Sequence, residues 1–417
     1  MNIIKAKWKE ANIFSRTFVK WLWISVLIGL VGGVIGSVFY KSIAFVTDLR
    51  VASPWMIWLL PLGGIVIAAL YQFTHTRGEN TNDIIDSILL GRKVDLLLLP
   101  VIFLSTVITH LLGGSAGREG AALQIGGSLG YNAGRLLKLD EKEERIAILS
   151  GMSAVFSALF GTPVTATVFA LEVCSVGILH YSGLVPCGIA ALSAYFVTTI
   201  FHIAPTHFVI STIAVEPLMI VRVALLAILC AVLSVIFCEV MHASGHLAEK
   251  AVKNDYLRAF LGGLLLIVLT FLVGSREYNG GGTDIIARAI YEGRAHPAAF
   301  LLKMLFTAVT LSAGFKGGEI VPTFFIGSTF GCVLGPFLGI PPEFAACVGL
   351  VGTFCGAVNC PLASVILSVE LFGSDCIIYF SIVCFICYML SGYSGLYSEQ
   401  KIVYSKLKAE YINIKTD

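Results

Sequence analysis

Long apolar runs recur along the whole chain, separated by short polar or glycine-rich stretches. They cover residues 21–46, 55–73, 94–112, 146–173, 184–201, 214–237, 259–273, 299–311, 323–338, 344–372 and 377–390. About 20 apolar residues in a helix cross a hydrocarbon core of roughly 30 Å, and several runs reach that length. Others are short, or are cut by Gly and Pro. Interrupted helices at membrane depth survive only where the freed backbone is buried or lines a cavity. The pattern predicts an all-α polytopic membrane protein with broken helices around an internal site. Residues 1–20 are basic and amphipathic and predict an interfacial helix leading into the first span. A cleaved leader fits less well, because the following apolar run is too long and has no small-residue cleavage site. Basic residues between positions 5 and 20 and between 401 and 415 put both termini in the cytoplasm of a multi-pass cell-membrane protein.

Composition agrees. Hydrophobic residues make up 57% and charged residues 13% of the 417, with a mean hydropathy of +0.88. Soluble domains carry about 25% charge, so a water-soluble globule is excluded. Lys plus Arg is 28 against 26 for Asp plus Glu, which removes the electrostatic case for nucleic acid. The eleven cysteines sit mostly in apolar runs, where a free Cys acts as a small hydrophobe. Cys384 and Cys387 form a lone CxxC without the further ligands zinc needs. His242 and His246, with Glu239 a turn earlier, could share a helix face, but they read as an interfacial polar cap. No metal or cofactor is implied.

Internal similarity is the strongest signal. Asp83-Ile84-Ile85 recurs as Asp284-Ile285-Ile286, a shift of 201, and at that shift Ile125-Gly126 and Gly130 recur as Ile326-Gly327 and Gly331. Gly151, Phe156, Pro163 and Glu172 recur as Gly349, Phe354, Pro361 and Glu370 at a shift of 198. The chain therefore reads as two related halves, 20–200 and 215–395, followed by a C-terminal segment, 396–417. Duplicated halves are characteristic of transporters, whose site lies near the midplane between inverted repeats.

Polar breaks occupy related places: Arg77 to Asp83, Gly113 to Gly120, and Gly314 to Pro322. Each precedes an apolar helical segment. A helix starting at membrane depth offers unpaired N–H groups and the positive end of its dipole, and Gly lets an anion come close. Three such ends together would hold an anion without a full positive charge.

Gly117-Arg118-Glu119-Gly120 resembles the GREG signature of the CLC family of chloride channels and proton-coupled anion exchangers. Gly317-Gly318-Glu319-Ile320-Val321-Pro322 resembles that family's GGxFxP signature, and Pro163 and Pro361 fall where the family has paired proline helices. The resemblance covers nearly the whole chain. It implies two inverted-topology repeats meeting at an anion site, a homodimer with one pathway per subunit, and Glu119 as the gating, proton-coupling glutamate. Helix N-termini favour the carboxylate of such a residue and desolvation favours the acid, so a proton can come and go.

The departures are informative. Where the family has GSGIP, whose Ser contacts the central anion, this chain has Glu79-Asn80-Thr81-Asn82; the Ser falls on Asn80, or on Glu79 with a one-residue shift. GREGP has become GREGA at Ala121, and the usual Phe is Ile320, preceded by Glu319. The pore tyrosine corresponds to Tyr397. The inner proton-transfer glutamate corresponds to Val173. This set is similar to the fluoride-exporting branch of the bacterial family, and a carboxamide donor suits a small, strongly hydrated anion. The implied anion-binding residues are Asn80, Ile320 and Tyr397, with Thr81, Ser115, Gly120 and Val321 as further liners. The expected function is export of fluoride in exchange for protons; the alternative is a chloride/proton exchanger or passive chloride channel. Gly113-Gly114-Ser115-Ala116-Gly117 also matches GxSxG, with His110 nearby. A nucleophile elbow needs a strand before the Ser, whereas run 94–112 reads as a helix.

Overall fold

A computed structural model describes residues 2–416. Its first helix, α1 (Asn2–Ala52), is unbroken. The sequence separates an interfacial helix, 1–20, from the first span; the backbone runs straight through residue 20, because no Gly, Pro or capping residue stops it there. A short 3₁₀ turn, Pro54–Leu59, leads into α2 (Leu60–Phe73), followed by α3 (Thr81–Leu90), α4 (Leu98–Leu112) and α5 (Glu119–Leu136). The first half closes with α6 (Glu141–Phe160), α7 (Pro163–Glu172) and α8 (Leu184–Ile200). The second half runs α9 (Pro217–Ala251), α10 (Asp255–Val273), α11 (Thr283–Glu292), α12 (Ala299–Ser312), α13 (Ile320–Leu334), α14 (Pro342–Val358), α15 (Pro361–Phe372) and α16 (Ile377–Leu390). Among the described residues, six helices are long and apolar enough to cross a membrane.

Two of the apolar runs are each two helices, the second starting at the proline where the resemblance puts a proline helix. Run 146–173 breaks between α6 and α7, and run 344–372 between α14 and α15. The cause is the same in both. Gly161 (φ +70°) and Asn359 (φ +57°) end the first helix in the left-handed conformation, and a Pro two residues later starts the next at its first turn.

The repeat seen in the sequence is a repeat of contacts. A β-carbon on Gly126 would stand 2.3 Å from the Gly151 carbonyl oxygen, and one on Gly327 would stand 2.3 Å from that of Gly349. Thus α5 crosses α6, and α13 crosses α14, at a distance only glycine permits. The halves are also locked reciprocally. Glu172, ending α7, accepts from the N–H groups of Leu362 (3.2 Å) and Ala363 (2.9 Å) at the start of α15. Glu370 accepts from Val164 (3.0 Å) and Thr165 (2.8 Å) at the start of α7. The two helices therefore lie antiparallel, each capping the other.

One departure from an all-helical chain lies at the C-terminus. Strand β1 (Ser175–Val176) pairs in parallel with β2 (Lys401–Tyr404), which pairs antiparallel with β3 (Tyr411–Lys415). This small sheet straps the segment 396–417 back against the end of α7. Gln400 secures it, donating to the carbonyls of Val173 (2.8 Å) and Val358 (2.9 Å).

Candidate anion site between the repeats

The two glycine-rich breaks meet. Gly117 donates to the Gly318 carbonyl at 2.7 Å and Gly318 donates to that of Gly117 at 2.8 Å, an isolated antiparallel bridge between the halves. From this bridge α5 and α13 start away side by side, so both positive helix ends face one locus. Glycine is required: a β-carbon on Gly318 would lie 2.3 Å from the Gly120 nitrogen.

Glu119 stands at the first residue of α5 and is fully buried. Its Oε2 accepts from the Arg118 N–H at 2.9 Å, and the backbone N–H groups of Glu119 and Val321 face it as well. Arg118 Nε lies 3.5 Å from Oε1, which has no hydrogen-bond partner. The guanidinium is held instead over the Tyr40 ring, 4.3 Å from its centroid. Glu119 therefore sits on helix-end N–H groups with a loose 3.5 Å ion pair to Arg118, a position an anion could take over. Gly120, Ile320 (0% exposed) and Val321 (5%) form the same locus, on the first turns of α5 and α13.

A vestibule of about 940 Å³ opens beside the bridge, lined by Asn80, Thr81, Gln124, Lys316, Glu319 and Tyr397 among others. Tyr397 is 2% exposed, its hydroxyl has no partner, and it lies within electrostatic range of Glu119 and Glu319. Thr81 Oγ1 accepts from Gln124 Nε2 at 3.1 Å. Asn80 lines the rim, and its side chain is committed to capping α3. Its Oδ1 accepts from Asn82 N (2.7 Å), its Nδ2 donates to the Gly78 carbonyl (3.2 Å), and its own N–H is held by Asp83 (2.7 Å). One amide hydrogen remains for an anion. Glu79, the alternative at this position, is not among the lining residues, and its Oε2 is buried without a partner.

Ser115, expected as a further liner, has its polar groups turned to α12. Its N–H donates to Thr310 Oγ1 (2.9 Å) and its hydroxyl bonds Thr307 Oγ1 (3.2 Å), both on α12. It is fully buried there and does not line the vestibule. The same contacts dispose of the GxSxG resemblance: helix α4 precedes the Ser, and its hydroxyl faces threonines. His242 and His246 line the vestibule, with His242 Nε2 3.4 Å from the Leu396 carbonyl. Cys387 Sγ faces the Ala227 carbonyl at 3.2 Å within the packed interior.

Sequence reasoning passed over three residues. Gln124 lines the vestibule with its Oε1 unpartnered. Arg50 donates to the His110 carbonyl (2.9 Å), and the fully buried Lys303 donates to those of Gly280 (2.5 Å) and Tyr278 (3.3 Å). With Asn279 donating to the Gly113 carbonyl (2.9 Å), they fix the break before α5. A lone Lys in the apolar run 299–311 was the available signal, since an intramembrane charge implies a task.

Two inverted repeats, broken helices meeting between them and a buried carboxylate at the junction define a multi-pass membrane protein of transporter architecture. The family model described as Voltage gated chloride channel matches residues 63–392, so the chain belongs to this, the CLC family. It is 35% identical over 396 residues to the "Chloride/fluoride channel protein" of Pseudomonas syringae pv. tomato, covering 93% of this chain and 87% of that relative. It is 24% identical to the "H(+)/Cl(-) exchange transporter ClcA" of Vibrio vulnificus, over 91% and 88% of the two chains. Among solved structures, a "CLC-type fluoride/proton antiporter" superposes with a TM-score of 0.87 at 29% identity, over 92% of this chain and 98% of the other.

Proposed function

We propose that this protein exports fluoride from the cytoplasm in exchange for protons. The supporting observation is Glu119: a fully buried carboxylate on the N–H groups that open α5, beside the opening of α13, with one oxygen unpartnered. Ionised, it competes with fluoride for the same helix-end donors. Protonated, it loses its attraction to them and yields the place to the anion. Each cycle then carries a proton one way and an anion the other. Fluoride is favoured over chloride by the carboxamide of Asn80 at the vestibule rim and by the similarity to the Pseudomonas protein and the fluoride/proton antiporter.

The test is purified protein in liposomes loaded with fluoride or chloride, with anion efflux and pH recorded together. Fluoride efflux with proton uptake is expected, both lost in Glu119→Gln, because an amide cannot cycle a proton. Proton-coupled fluoride flux surviving in that variant would refute the role of Glu119. Anion flux driven by voltage alone would make the protein a passive channel. A chloride-coupled flux faster than the fluoride one would make it a chloride exchanger.

We place the protein in the cell membrane with both termini cytoplasmic, as a homodimer with one pathway per subunit. An apolar hollow of about 280 Å³ on the outer face of α7, α8, α15 and α16, lined by Val168, Leu184, Leu362 and Phe385, supports that pairing surface. Cross-linking in the membrane through cysteines introduced at Leu362 and Phe385 tests it.

A further inference from the structure

We propose that Lys316 is the cation that captures the anion at the mouth of the vestibule, ahead of the helix-end site at Glu119. It follows Gly314-Phe315 in the break before α13 and lines the vestibule with Asn80, Glu319 and Tyr397. Its ammonium stands 4.2 Å from the centroid of the Tyr71 ring and a long 3.4 Å from the Glu79 carbonyl oxygen. Among the described residues, no carboxylate lies within 4.0 Å of it. Glu79, Asp83, Asp255 and Glu319 act on it only from farther away. Asp83 is taken by Arg92, and Asp255 by Arg77 (2.6 Å) and Arg258 (3.0 Å). The vestibule thus holds a strongly hydrated charge, half withdrawn from water, whose partners are one ring face and one weak carbonyl contact. Such a charge is costly without a counter-ion.

The rest of the wall points to what supplies that counter-ion. The Tyr397 hydroxyl and the Gln124 carbonyl oxygen, 2% and 4% exposed as residues, line the same space without partners. A phenol can donate to an anion, and a Gln amide can turn its NH₂ toward one. A small anion beside Lys316 would meet a full charge and two adaptable dipoles before reaching N–H groups only. A cation at the mouth raises local anion concentration. Placing it outside the helix-end site keeps the central anion from being held too tightly to leave.

The inference rests on the reading of the protein as an anion transporter and is tested so that the two fail separately. Initial efflux rates are measured over a range of trapped fluoride, and in parallel of trapped chloride, for the unaltered protein, Lys316→Met and Lys316→Arg. Lys316→Met should raise the half-saturating anion concentration about tenfold, ~1.4 kcal/mol, with maximal rate and proton coupling unchanged. Lys316→Arg should restore it to within about twofold. A half-saturation unmoved in Lys316→Met, or raised equally in both variants, overturns the proposal and leaves Lys316 a clamp on Tyr71. An inert-salt series on the unaltered protein is independent of how the variants fold. Half-saturation should rise steadily from about 0.02 to 0.5 M as the charge is screened, and a flat response overturns the proposal. If chloride flows and fluoride does not, the fluoride reading fails and Lys316 is judged on the chloride series alone.

Discussion

Gly318→Ala is the sharpest perturbation of the inter-repeat bridge. Its β-carbon would stand 2.3 Å from the Gly120 nitrogen, 3.0 Å from Gly120 Cα and 3.1 Å from the Glu119 nitrogen. These are backbone atoms and cannot swing aside, so the starts of α5 and α13 must part by roughly 1 Å to reach ordinary contact. A helix end acts as about half a positive charge. At an effective dielectric of about 20, moving it from about 4 to about 5 Å from an anion loses about 0.4 kcal/mol. With the parting shared as about 0.5 Å at each end, the two together lose about 0.5 kcal/mol, or about twofold in anion affinity. Breaking one of the exchanged Gly117–Gly318 hydrogen bonds costs about 1 kcal/mol of stability besides. Titration calorimetry of purified protein with fluoride reads the first effect, and thermal unfolding the second. Gly245→Ala is the control, since nothing lies within 4 Å of its added carbon. Unchanged anion affinity in a folded Gly318→Ala protein would show that the paired helix ends do not hold the anion.

Other outcomes follow from the same geometry. Asn80→Ser keeps an N-cap on α3, so thermal stability should hold while the preference for fluoride over chloride falls; unchanged selectivity in paired efflux assays would move the discrimination elsewhere. Asn80→Ala also loses the cap and should cost about 1 kcal/mol, visible as a lower unfolding temperature. Glu172→Ala and Glu370→Ala each strand two N–H groups on the opposite helix, and each should cost roughly 2–5 kcal/mol by similar amounts. A large loss in one with none in the other, measured by thermal unfolding in the same detergent, would contradict the reciprocal cap.

The duplication, the membrane class and the junction residues were legible because they depend on residues at fixed intervals. Gly126 and Gly327, or Glu172 and Glu370, do the same work in the two halves, so a shift of about 200 positions exposes them. Run 146–173 shows why boundaries were less legible. The dip at Gly161-Thr162-Pro163 is only three residues long inside an apolar run, and a glycine closely followed by proline is all that marks the break. The contacts of Ser115 were illegible for a different reason: its partners Thr307 and Thr310 lie nearly 200 residues away, on a helix whose rotation no local pattern fixes. Asn80 lies between these cases. The resemblance marks it as an anion ligand alone, and the structure has its side chain capping α3 at the vestibule rim.

The way the halves are tied limits what can move during transport. Many duplicated transporters rock one repeat against the other. Here Glu172 and Glu370 together make four charge-assisted hydrogen bonds across the repeats, and Gly117 and Gly318 exchange two more bonds next to the site. At roughly 1.5–3 kcal/mol each, the first four alone oppose separation by roughly 6–12 kcal/mol. Turning the Glu119 side chain gives up the 2.9 Å hydrogen bond from the Arg118 N–H, the facing N–H groups of Glu119 and Val321, and the 3.5 Å ion pair with Arg118. That breaks fewer bonds than separating the repeats would, and protonation lowers its cost further by removing the charge that the helix ends hold. On the proposed function, alternation of the Glu119 carboxyl group in a locked frame is the expected cycle, rather than rocking of the frame. The centre is built mainly from backbone dipoles, and Arg118, whose guanidinium lies on the Tyr40 ring, meets Glu119 only through a 3.5 Å ion pair.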